Sequence, residues 1–120
     1  MKLKVSVLFL ILLQASSASF GLDTKTYMEM RQSAKDSTAY ALLEFHIAGL
    51  ADGFQWANAH LEATNQAPVF CATQAMRLNA ENYMQAVDEL LSRNPKRFLG
   101  PDVPLGGTVL LAMRAKLPCK

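Results

Sequence analysis

Residues 37–61 read STAYALLEFHIAGLADGFQWANAHL. Tyr40, Leu43, Ile47, Leu50, Phe54, Ala57 and Leu61 recur at alternating spacings of three and four, so they form one stripe of an α-helix. Asp36, Ser37 or Thr38 can cap its start, and Asn65 to Pro68 end it or lie just beyond its end. The same signals recur on both sides. Asp23 caps a short helix over about 24–33, with Tyr27, Met28 and Met30 packing. Asn79 caps a helix over 80–93, with Glu81 in its first turn, Arg93 in its last and Asn94-Pro95 as its stop. Tyr83, Met84, Val87, Leu90 and Leu91 make its inward face. A last helix is expected over about 108–117, with Val109, Leu110, Ala112, Met113 and Leu117 inward. Strand signals are nearly absent, because alternation never persists and β-branched residues are few. The expected fold is all-α, a compact bundle of four or five helices with one disulfide.

The N-terminus carries a different pattern. Lys2 and Lys4 precede an apolar run over Val5–Leu13, and a small-residue stretch over Gln14–Ser19 follows. That is the pattern of a secretory signal peptide, and the run is too short to span a membrane. Residues 1–18 are expected to be removed, with cleavage as late as residue 21 as the second choice. Residues 19–120 then form a single domain, exported to the periplasm and carrying no membrane segment of its own.

This reading changes the charge. The whole chain has twelve Lys+Arg against ten Asp+Glu. Lys2 and Lys4 leave with the leader, so the mature domain is neutral. Residues 19–70 hold three basic and six acidic groups, residues 71–120 seven and four. The longest basic cluster is Lys96-Arg97, and no aromatic–basic platform accompanies it, so nucleic-acid binding is not expected.

Cys71 and Cys119 are the two cysteines. In an exported protein their first reading is a disulfide that ties the C-terminus to the region before the third helix. The alternative is a thiol nucleophile at Cys71 with His46 or His60 and Asp52, which requires spatial contacts. His46 and His60 lack the spacing and the neighbouring carboxylates of a metal site, and no cofactor is expected.

Gly49 and Gly53 lie inside the long helix, where each costs about 1 kcal/mol relative to Ala. With His46, Trp56 and His60 they form a second stripe. Two explanations present themselves: close packing of another helix of the same chain, or a self-association or partner contact centred on Trp56. Residues 94–107 hold three prolines and three glycines and are read as irregular. This segment is a connector, or else a semi-rigid recognition surface in which Arg93, Lys96, Arg97 and Phe98 are the candidate partner contacts.

Gly49-Leu-Ala-Asp-Gly53 on the long helix, Phe70-Cys71, a helix ending in Asn94-Pro95 and a closing Leu117-Pro-Cys119 occur in that order. The arrangement from about Tyr40 to Cys119 resembles the Rap/Tai family of type VI secretion immunity proteins. The resemblance implies an exported helical protein, often a homodimer, that occludes the cleft of a peptidoglycan amidase and performs no chemistry itself. Gly49, Asp52 and Gly53 match the family's helix motif, and Cys71 and Cys119 its C-terminal cysteine pair. Family members commonly carry a further cysteine shortly before the glycine motif; Leu43 stands about there, and residues 19–70 contain no cysteine. The expected function is therefore a periplasmic immunity protein against a cell-wall amidase effector. A small periplasmic helical chaperone or stress protein is the alternative, its methionines suited to adaptable contacts. An enzyme is not expected.

Overall fold

The computed structural model describes residues 21–73 and 75–120. The expected leader, residues 1–18, lies outside them. Among the described residues five helices follow one another: α1 Thr24–Arg31, α2 Thr38–Ala63, α3 Ala80–Arg93, α4 Pro95–Phe98 and α5 Leu105–Lys116. No strand occurs among the described residues; a single bridge pairs Asp23 with Pro104.

Local chemistry sets the helix ends. Asp23 Oδ1 accepts from the Thr26 amide at 2.7 Å, and Ser37 Oγ from the Tyr40 amide at 3.1 Å. Asn79 and Asn82 exchange side-chain and backbone hydrogen bonds at 3.0 and 2.9 Å, a reciprocal box that starts α3. The α2 helix stops where Asn65 takes φ 57°, a left-handed conformation that asparagine tolerates, while the Gln66 amide returns to the Leu61 carbonyl at 2.7 Å.

Helix α3 lies at the centre, packed on α2, α4 and α5, and α1 closes the bundle against α2 and α5. Tyr27, Leu43, Ile47, Tyr83, Met84, Val87, Leu105, Val109 and Met113 are fully or almost fully buried between them. Each large aliphatic side chain buried in this way contributes about 1.5–3 kcal/mol. Between α1 and α5 the core is polar at one point, where the Thr24 and Thr108 hydroxyls meet at 2.7 Å.

Three sequence expectations are corrected. The segment read as irregular contains α4, and α5 starts at Leu105 rather than Thr108, so Gly106 and Gly107 lie in its first turn. Ala57, expected inward, is exposed. At 26 residues α2 is about 39 Å long, well beyond the 14-residue α3, and near its end Asn58 bonds to the chain that follows it.

Candidate functional site

The most distinctive surface of the domain is the outer face of α2. Leu42, Phe45 and Trp56 are 56%, 76% and 72% exposed, large apolar groups left in water on one helix. Gly49 and Gly53 lie between Phe45 and Trp56, and a Cβ built on either would meet nothing within 4 Å. Packing of another helix of the same chain against these glycines is therefore excluded among the described residues. They form a bare trough between two aromatic side chains. His60 and Asp52 are exposed on this half of the molecule. His46 is not part of that trough. It is half-buried and lines a groove of about 770 Å³ with Leu22, Asp23 and Leu50, close to Gly21.

A second feature is the strap formed by residues 65–73 and 75–79, which crosses back over the end of α2. Asn58 holds it: Oδ1 accepts from the Val69 amide at 2.8 Å, and Nδ2 donates to the Phe70 carbonyl at 3.3 Å. Phe70 drops into the core edge-on to Phe54 and Tyr83, with ring centroids 6.1 and 6.3 Å apart. Cys71 and Cys119 form a disulfide, and the Cys71 amide donates to the Leu117 carbonyl at 2.9 Å. Both sulfurs are spent in this bond, so Cys71 offers no thiol for nucleophilic chemistry. Nothing in the residue order singled out Asn58 as the clamp. Its pairing needs the strap to fold back first.

Third is a charged cluster between α1, α2 and α3. The Arg31 guanidinium, its side chain 16% exposed, donates to Glu81 twice, to Asp88 through Nε at 3.0 Å and to the Tyr40 hydroxyl at 2.6 Å. Tyr27 Oη donates to Asp88 Oδ1 at 2.7 Å. The hydrogen bonds from Arg31 hold the Glu81 carboxyl below its ordinary range, and burial pushes the Tyr27 phenol up. Both carboxylates share the one guanidinium, so the cluster fastens three helices together.

The remaining expected contacts divide. Arg93, Lys96 and Arg97 are exposed at the α3–α4 corner, and Arg93 pairs loosely with Glu89 at 3.6 Å. Phe98 is corrected: it is buried in the core and cannot serve as a surface contact. It anchors α4 instead, and the Arg97 guanidinium lies 5.3 Å from its ring centroid. Lys96 and Arg97 are thus displayed from a pinned turn.

No cluster of three or more His, Cys, Asp or Glu side chains suited to a metal ion occurs among the described residues. No helix among them is long and apolar enough to cross a membrane. Compared with known protein families, curated proteins and solved structures, the chain has no match.

Proposed function

We propose that this protein is an exported immunity-type binding protein: a periplasmic inhibitor that occludes a type VI secreted peptidoglycan amidase. The observation that carries the reading is the bare outer face of α2. A soluble domain seldom leaves two aromatic side chains three-quarters exposed on either side of a glycine trough unless another protein covers them. The resemblance through Gly49, Asp52 and Gly53 and through Cys71 and Cys119 supplies the kind of partner, and the leader pattern supplies the compartment.

Two surfaces divide the work in this reading. Phe45 and Trp56 stand symmetrically about the Leu50–Ala51 peptide. An antiparallel second copy would set Phe45 of one helix against Trp56 of the other, with the glycines letting the backbones approach. The basic corner at Arg93, Lys96 and Arg97 then remains for the amidase, which it meets through charge and shape. Inhibition is by occlusion, and no residue is assigned a catalytic role.

Co-expression with a candidate amidase directed to the periplasm tests the proposal. Protection from lysis is expected, and lysis that continues in the presence of folded, exported protein rejects it. Intact mass of the exported chain tests the leader, with loss of residues 1–18 expected. Suppression of client aggregation without protection would favour the chaperone reading.

A further inference from the structure

Helix α1 reaches α3 through side chains. Arg31 and Tyr27 bond to Asp88, and beside these bridges lies an open groove of about 400 Å³. Met28 on α1, Leu91 on α3, and Pro95 and Leu99 at the two ends of α4 make its lining mostly apolar. The two charged groups in that lining, Arg31 and Asp88, are bonded to one another. Lys96 and Arg97 follow Pro95 directly and are exposed, and among the described residues neither pairs with a carboxylate. Glu89 on α3 is already held by Lys116 and Arg93. Phe98 is buried, and the Leu99 amide donates to the Pro95 carbonyl at 3.0 Å, so the turn that carries these cations is fixed before anything binds.

We propose that this groove receives a polypeptide segment of a partner in which a large apolar side chain is flanked by carboxylates. The apolar side chain displaces water from Met28, Leu91, Pro95 and Leu99, and the methionine adapts to its shape. The carboxylates meet Lys96 and Arg97, whose uncompensated charge also speeds the encounter. An open groove leaves one side of its occupant in water. That suits a side chain carried on a larger surface, whereas a small molecule needs burial on nearly all sides. The proposal rests on the immunity reading only for who the partner is: the amidase presents this segment to the basic corner.

The test titrates the full, disulfide-bonded protein with three blocked pentapeptides and follows backbone amide signals. Acetyl-Asp-Glu-Leu-Glu-Asp-amide is expected to shift Met28, Leu91, Ser92 and Leu99 saturably. Replacing its leucine by glycine should weaken binding about fivefold, the share of a partly buried apolar side chain. Acetyl-Lys-Arg-Leu-Arg-Lys-amide should not bind. Lys96→Glu combined with Arg97→Glu, both at exposed positions, should weaken the acidic leucine peptide about tenfold with the melting temperature unchanged. Ser92→Phe, which fills the groove from an exposed position in its lining, should abolish binding with the fold intact. The proposal is overturned if no saturable shift appears, if the glycine peptide binds equally well, or if Ser92→Phe binds normally. Decanoate binding as tightly as the peptide would also overturn it, assigning the groove to an anionic amphiphile. In the co-expression test, protection that survives the double charge reversal keeps the immunity reading and overturns the groove as its grip. Peptide binding without protection keeps the groove and rejects the amidase.

Discussion

Arg31 on α1 donates to Glu81 on α3 through both terminal nitrogens, at 2.8 and 3.1 Å. The same guanidinium reaches Asp88 and the Tyr40 hydroxyl, so one side chain joins α1, α2 and α3. Removing it would strand two carboxylates and a phenol in a partly buried position. Arg31→Met should lower unfolding stability by about 2 kcal/mol at pH 7, less than a fully buried pair because Glu81 is half-exposed. Urea unfolding of the two proteins measures this.

The pH dependence follows from the same contact. Arg31 holds the folded-state pKa of Glu81 below its ordinary value of 4.5. The contribution is therefore complete above about pH 4.5 and disappears as the pH falls through the depressed folded value. The gap between wild type and Arg31→Met should narrow steadily below pH 4.5. Unfolding curves at pH 7 and pH 3 check the sign, and a gap that widens in acid would contradict it.

Gly49→Ala and Gly53→Ala should each raise stability by about 1 kcal/mol, because a Cβ meets nothing at either position and alanine is the better helix former. The same changes should weaken any association through the trough, as should Trp56→Asp. Thermal melts and sedimentation, run side by side, separate the two effects.

The strap gives a local prediction. Asn58→Ala removes the acceptor for the Val69 amide and the donor to the Phe70 carbonyl, at a cost of about 1–3 kcal/mol. The Val69 amide should lose protection from hydrogen exchange, while amides in the middle of α3 keep most of theirs.

Opening the disulfide should cost up to about 4 kcal/mol, because 48 residues of sequence separate Cys71 from Cys119 and the unfolded chain gains that freedom. Both cysteines are exposed, so a small thiol reductant reaches the bond without prior unfolding. Urea midpoints with and without reductant give the value.

Much of the architecture was legible because its signals are short-range. Asp23, Ser37 and Asn79 cap their helices through amides three residues away, and the α2 stripe repeats within each turn. The same reasoning missed α4, since a four-residue helix offers too few turns to show a period and its proline and neighbouring glycine read as loop. It also misplaced Phe98, because an aromatic beside two basic residues looks the same in sequence whether it faces inward or out.

The sequence by itself thus pointed to an all-helical chain with Cys71 and Cys119 as its expected pair, the starts of α1, α2 and α3, and most of the residues able to pack. The tertiary structure alone decided which faces found partners. Arg31 meets Glu81 and Asp88 across 50 and 57 residues, and Asn58 acts as a clamp only after the strap returns. The outer face of α2 stays bare because the short neighbouring helices cover only its inner side. Helix formation depends on neighbours three and four residues apart; the burial of a face depends on what the rest of the chain can bring against it.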